Sequence, residues 1–334
     1  MIAGHTSVRE RLRAAVNRGS LHHALLFEGP AGVGKRRVAE WLAQLANCTS
    51  GDVRPCGACP TCKQIASGAH PDVIRLEPDP EKATATIAVD RVREVIRTAG
   101  YHRYNSRMRF VIVDPAEALA PAAANALLKT LEEPPDGTGF ILIATSTSGL
   151  LPTIRSRCQR VRFGAVPEAE LVQFLVARGV ASPEAVARLA QGCPGRALVI
   201  AEEGLDGRAA LREGMLGAIA GDLGGLLGFS EKLVGGSGRA DWRPKVDALI
   251  EVIEDLVRDA SIVGSGANLE LVDPATRPVA EYWAPVLWPG GVVAMQRAVA
   301  DARAQLLANA QGRTVVDALL ARLRAELGPA RKVA

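Results

Sequence analysis

Leu25-Leu26-Phe27-Glu28-Gly29-Pro30-Ala31-Gly32-Val33-Gly34-Lys35-Arg36 decides the fold. A short apolar run stops at a glycine-rich turn and gives way to a helical pattern over Arg36 to Ala46, which reads as strand, phosphate loop and helix. Glycines let backbone N–H groups point into one concavity, the following helix adds its positive end, and a lysine at that place reaches terminal phosphates. A plain glycine turn is the competing reading, and the strand before it and the helix after it favour the loop. The match fails at its last position. Ser or Thr belongs where Arg36 stands, because that hydroxyl helps hold magnesium, whereas an arginine has only donors and cannot ligate a cation.

Outward from the loop, Arg109 to Val113 reads as an apolar strand that ends in the carboxylate of Asp114, the usual second metal-binding element. Its next residue, where an ATPase of this type keeps a glutamate to polarise water, is Pro115. Glu117 is expected on a different side of the turn. With hydroxyl and base both missing, little or no hydrolysis is expected even if nucleotide still fits, since groups acting as a unit cost orders of magnitude when lost.

Further strands are read at His23 to Phe27, Val73 to Leu76, Phe140 to Ala144 and Arg160 to Phe163, and helices at Asp90 to Gly100 and Pro121 to Leu131, the last stopped by Pro134-Pro135. That alternation is the signature of an α/β fold with a parallel sheet covered by helices. From Pro167 the pattern turns helical around Leu171, Phe174 and Leu175, then from Ser182-Pro183-Glu184, then from Gly195 to about Glu203; these short helices suggest a small lid. Gly204 to Gly207 reads as a linker. Beyond it, Trp242, Val246, Leu249, Ile250, Ile253 and Leu256, and Val315 to Leu327, keep helical spacing. The expected division is an α/β domain over 1–165 carrying an inserted module at 48–62, a lid over 166–205, and an all-helical domain over 208–334.

Composition sets the limits. At 334 residues, 48% hydrophobic and 23% charged, the chain is an ordinary globular one with room for about two to three domains. It is no disordered tail, collagen or disulfide mini-scaffold. Forty basic residues against 36 acidic leave +4, so any DNA contact must be local, and 4% aromatics exclude a base-stacking platform as the main device. Met1 to Ser20 carries Arg9, Glu10, Arg11 and Arg13 and lacks the apolar stretch of a signal peptide. A cytoplasmic, reducing location is expected, where six cysteines are not paired as disulfides.

Four of them, Cys48, Cys56, Cys59 and Cys62, fall within fifteen residues of a segment rich in Gly and Pro. Such spacing suits a closed tetrahedral zinc site that contributes folding energy where there is little apolar core. A redox pair and buried free thiols are the alternatives. Cys158 and Cys193 stand alone and read as packing residues, and His22 and His23 as structural.

Leu21-His22-His23-Ala24-Leu25-Leu26, the phosphate loop, the cysteine cluster before His70-Pro71-Asp72, and Ala123 to Pro135 with its Leu128-Lys129-Thr130-Leu131-Glu132-Glu133-Pro134-Pro135 run resemble the bacterial clamp-loader family of AAA+ proteins. So does Leu151-Pro152-Thr153-Ile154-Arg155-Ser156-Arg157-Cys158. The detailed likeness covers roughly the first half. Within the family, the Asp-x-Ala-x-x-Leu turn from Asp114 to Leu119 and the decayed metal residues are similar to its non-hydrolysing subunit type.

The resemblance implies an AAA+ sheet with a zinc-binding insertion, a helical lid and a C-terminal collar. It implies that Arg157 is an arginine finger acting in trans on a neighbour's nucleotide, a role suited to a planar, permanently charged fork. The alternative is that Arg155, Arg157, Arg160 and Arg162 form a solvated basic face. A degenerate nucleotide site is implied at Gly29, Gly32, Gly34, Lys35, Asp114, Thr145 and Arg196, with doubtful ATP binding. Ser146 or Thr147 could replace Thr145 as γ-phosphate sensor, and Arg196 could be an exposed residue at a helix start. The implied partners are the tau/gamma motor subunits and the clamp-opening delta subunit of a hetero-pentamer, with the sliding clamp and primed DNA reached through the complex and no membrane. An active motor subunit of the same family is the alternative; a P-loop kinase or a DNA-binding zinc protein lacks its expected residues.

Overall fold

A computed structural model describes residues 2–51, 53–79, 86–235, 239–307 and 310–328. In chain order the elements are α1 (Thr6–Asn17), β1 (Ala24–Glu28), α2 (Lys35–Asn47), α3 (Pro60–Ser67), β2 (Val73–Leu76), α4 (Val89–Ala99), β3 (Arg109–Val113), α5 (Pro121–Glu132), β4 (Thr138–Ala144), α6 (Pro152–Arg155) and β5 (Gln159–Arg162). Only helices follow: α7 (Glu168–Val176), α8 (Pro183–Ala190), α9 (Pro194–Glu203), α10 (Leu205–Ala220), α11 (Leu223–Val234), α12 (Arg239–Ser265), α13 (Arg277–Leu287), α14 (Gly290–Leu307) and α15 (Gly312–Leu327).

The five strands form one parallel sheet in the order β2-β3-β4-β1-β5. Every residue of β1, β3 and β4 is buried, as strands covered on both faces must be, and their runs are accordingly near-continuously apolar. Alternate side chains serve the two faces. Leu26, Val111, Phe140 and Leu142 meet the α4 and α5 side, with Val92, Val95 and Leu127. Leu25, Phe27, Phe110, Ile112 and Ile141 meet the α1 and α2 side, with Val8, Val38 and Leu42. The edge strand β5, Gln-Arg-Val-Arg, is mostly exposed and charged, which blunts it against further pairing.

The pairing register sets the carboxyl ends of neighbouring strands level, with Glu28 beside Ala144 and Val113 beside Leu142. The three loops that leave β1, β3 and β4 therefore open on one rim of the sheet, where ligands of open α/β folds bind.

The chain divides into two compact units, residues 1–179 with 192–196, and residues 180–191 with 197–334. The second has its own core, in which Val246, Leu249, Ile250, Ile253 and Leu256 of α12 pack with Trp283, Met295, Val316 and Leu320. One reading is corrected: Gly204 to Gly207 is no linker, because α10 begins at Leu205 and its Arg208 is buried against Asp255. Among the described residues no helix is long and apolar enough to cross a membrane.

Candidate functional site

Between β1 and α2 the loop Gly29 to Gly34 depends on its glycines. Gly29, Gly32 and Gly34 have φ of 149°, 72° and 109°, in the region side chains avoid, and a Cβ on Gly29 would lie 2.2 Å from Phe163 O. Gly34 caps the amino end of α2, which carries no acidic side chain in its first turn, so the helix's positive end faces the loop. Lys35 is buried, and its ammonium donates to Gly29 O at 2.6 Å and Pro30 O at 2.7 Å. Burial pulls its pKa down, against the opposing charges of Asp114 and Glu117. From far along the sequence, Gly195 N donates to Gly32 O at 2.7 Å, which lays the start of α9 and the Arg196 backbone over the loop. Cys193 comes with it, its Cβ 3.8 Å from where a side chain on Gly32 would begin.

The structure thus brings Gly29, Gly32, Gly34, Lys35, Asp114 and Arg196 to one rim. Arg36 settles what the metal position holds. Its guanidinium pairs with Glu77 just past β2, lies 3.8 Å from Asp114 Oδ2, and reaches Glu40 Oε1 at 3.8 Å. Burial raises the pKa of Asp114, while Arg36 and Lys35 work to lower it. A divalent cation does not fit these residues. The hydroxyl oxygen it requires is missing, and the carboxylate it would share already faces a fixed positive charge.

Glu117, expected on another side of the turn, is part of the same rim. Its Oε1 accepts from Thr145 N at 2.6 Å, Thr145 Oγ1 at 2.8 Å and Ser146 N at 3.1 Å. The exposed hydroxyl read as a γ-phosphate sensor is therefore held by the chain's own carboxylate.

Arg157 lies just past α6. Its Nε donates to Glu132 Oε1 at 2.5 Å and its Nη1 to Thr153 O at 2.9 Å, with the side chain about one-third exposed at 32%. The neighbouring arginines do not share this setting. Arg160 and Arg162 both grip Glu28, at 2.7 Å and 2.8 Å; burial raises the Glu28 pKa, and the bonds from the two arginines more than reverse this, leaving it below the usual carboxylate value.

The cysteine module links the end of α2 to α3. The Sγ atoms of Cys48, Cys56, Cys59 and Cys62 all lie within 4.8 Å of one another, and Cys48 and Cys59 are 4.0 Å apart. Four sulfurs held about 2.3 Å from a tetrahedral zinc stand roughly 3.8 Å apart, so the cage has the dimensions of such a site. Backbone N–H groups donate to the sulfurs, Cys59 N to Cys56 Sγ at 3.3 Å and Cys62 N to Cys59 Sγ at 3.4 Å. Burial acts to raise the Cys59 thiol, but hydrogen bonds from Thr49 and Cys62 bring it down to about 6; burial and the neighbouring sulfurs push Cys62 up to about 12. These four residues can hold a metal ion. Cys158 is buried away from the cluster and pushed up to about 12 by burial, as an inert packing thiol should be. His23 bonds Leu131 O at 2.9 Å and stacks on His22, a structural pairing.

Sequence reasoning missed the partners of Arg36 and the seat of Glu117. Neither leaves a local signal, because Glu77 is 41 residues from Arg36 and Thr145 is 28 from Glu117.

Residues 4–167 match the family described as DNA polymerase III, delta subunit. Over 137 residues the chain is 46% identical to the DNA polymerase III subunit delta' of Pseudomonas aeruginosa, covering 41% of each chain. It is 38% identical to the delta' subunit of Escherichia coli over 195 residues, 57% of this chain and 58% of that one. It is also 36% identical to the gamma/tau subunit of Mycobacterium bovis over 217 residues, 62% of this chain and 37% of that one. The matches thus span about half the length of the delta' relatives.

Proposed function

Because residues 4–167 match the family described as DNA polymerase III, delta subunit, we propose that this chain is a clamp-loader subunit of the delta-prime type. It assembles with tau/gamma motor subunits and a clamp-opening delta subunit in a hetero-pentamer that places the sliding clamp on primed DNA. Its own nucleotide site does not hydrolyse ATP. One observation carries that reading: Arg36 stands at the metal position with its charge on Asp114, and Pro115 stands where the catalytic base belongs.

In this reading Arg157 serves as the catalytic residue of the neighbour's ATP site, and Glu132 holds its guanidinium at the surface until that site arrives. Residues 1–165 form the AAA+ domain, 166–205 the lid and 208–334 the collar through which subunits associate. Zinc occupies the four-cysteine cage as a structural ion. The protein works in the cytoplasm.

The gamma/tau match favours a second reading, an active motor subunit. Two measurements separate them. The isolated chain, given ATP and magnesium, is expected to show no turnover, while mixing with tau/gamma and delta subunits yields one complex of defined mass. Turnover at a motor-like rate selects the second reading, and failure to assemble removes both.

A further inference from the structure

Arg36 takes the second position of α2, immediately after Lys35, and extends across the rim of the sheet. The carboxylates around it come from three elements: Glu40 one turn further along α2, Glu77 past the end of β2, and Asp114 past the end of β3. Glu40 is itself paired with Arg75 at 2.7 Å, which leaves Arg36 to pair Glu77 and, together with Lys35, to act on Asp114. A cation entering here meets a fixed positive charge and no hydroxyl ligand. A chain of phosphates meets the reverse: the positive end of α2, the ammonium of Lys35, and a fork of guanidinium donors suited to paired phosphate oxygens.

We propose that Arg36 is the resident cation of this site, so that the loop takes a nucleoside di- or triphosphate as the bare anion, without a divalent metal ion. This rests on the reading of Gly29 to Lys35 as a nucleotide loop. The guanidinium neutralises Asp114 on one side and faces the phosphates on the other, the bridge a magnesium ion ordinarily makes. Its charge is single, and Lys35 supplies the second. Magnesium in solution works against binding, because the metal–nucleotide complex carries its own cation toward the guanidinium and arrives with less negative charge for Lys35 and Arg36 to hold.

The test is calorimetric titration of the full chain with ADP and with ATP, once in EDTA and once in excess magnesium. Binding is expected in EDTA, weakened by about threefold or more when magnesium is added. Arg36→Thr reverses the order: binding in EDTA falls about tenfold and magnesium strengthens it. Arg36→Lys, which keeps the charge without the fork, retains metal-free binding at reduced affinity and serves if the threonine variant folds poorly. Binding to the unaltered chain that is unchanged or strengthened by magnesium overturns Arg36 as the resident cation and leaves the nucleotide loop standing. No binding under either condition overturns the proposal together with the nucleotide loop. Neither result touches clamp-loader membership, which assembly with the other subunits decides.

Discussion

The guanidinium of Arg157 rests on the carboxylate of Glu132, joining the segment past α6 to the last residue of α5. The contact is partly exposed, so it holds the side chain in place at little cost and yields to a stronger anion. If Arg157 is the proposed finger, Arg157→Ala is expected to lower ATP hydrolysis at the neighbouring motor site by about 10³-fold or more, the usual worth of an arginine finger. Assembly should be unaffected. Arg157→Lys should recover little, since an ammonium cannot reproduce the planar fork. Steady-state hydrolysis by the reconstituted complex checks both, and an unchanged rate removes the assignment.

The four-cysteine cage predicts about one zinc per chain by elemental analysis of the purified protein. Cys59→Ser should lower that content and the thermal midpoint together, because α3, which closes the cysteine module, buries only Cys62 and Ile65 of its own residues. Acidification should release the metal as protons displace it from the sulfurs. A metal content near zero would leave a cluster of thiols and no structural site.

What could be read in the sequence follows from how local each signal is. β1, the glycine loop and α2 were legible because a buried parallel strand, a turn and a helix each mark their own residues. The loss at Arg36 was legible, but its gain was not, since Glu77 and Asp114 reach it only through the sheet order. Helix was expected throughout 208–334, but the bounds of α10 and α11 were hidden for a different reason. Gly207, Gly214, Gly217, Gly224, Gly225 and Gly228 argue against helix locally, and burial of Met215, Ile219 and Leu226 in the second core overrides them.

The start of α9 lies so close to the phosphate loop that Gly195 tolerates no side chain. A Cβ there would come within 2.9 Å of Gly32 Cα and 3.0 Å of Gly32 O. Gly195→Val should break the Gly195 N to Gly32 O bond and cost about 1–3 kcal/mol of stability in denaturant unfolding. Gly207→Ala is the contrast. It sits in α10 with nothing within 4 Å of the added atom, and should stabilise by about 0.5–1 kcal/mol.

Asp72 and Arg109 form a pair buried at the amino end of β3, 2.8 Å apart. Both partners are also hydrogen-bonded elsewhere. Asp72 accepts from Tyr104 N, Asn105 N and Ser106 Oγ, and Arg109 donates to the carbonyls of Thr98, Ala99, Tyr101 and His102 that close α4. Asp72→Ala strands a buried guanidinium, so it should cost about 3–5 kcal/mol, far more than an exposed pair. The pH dependence follows from the same contacts. Burial acts to raise the Asp72 pKa, but Ser106, Arg109 and the two backbone amides more than reverse this, so the folded value lies below the unfolded one. The stabilisation is therefore fully present above the unfolded value of about 3.9 and is lost as pH falls through the folded value. Urea midpoints taken from neutral pH downward should fall more steeply for the unaltered protein than for Asp72→Ala, with the two curves converging in acid; parallel curves would mean that the carboxylate is not what the pair contributes.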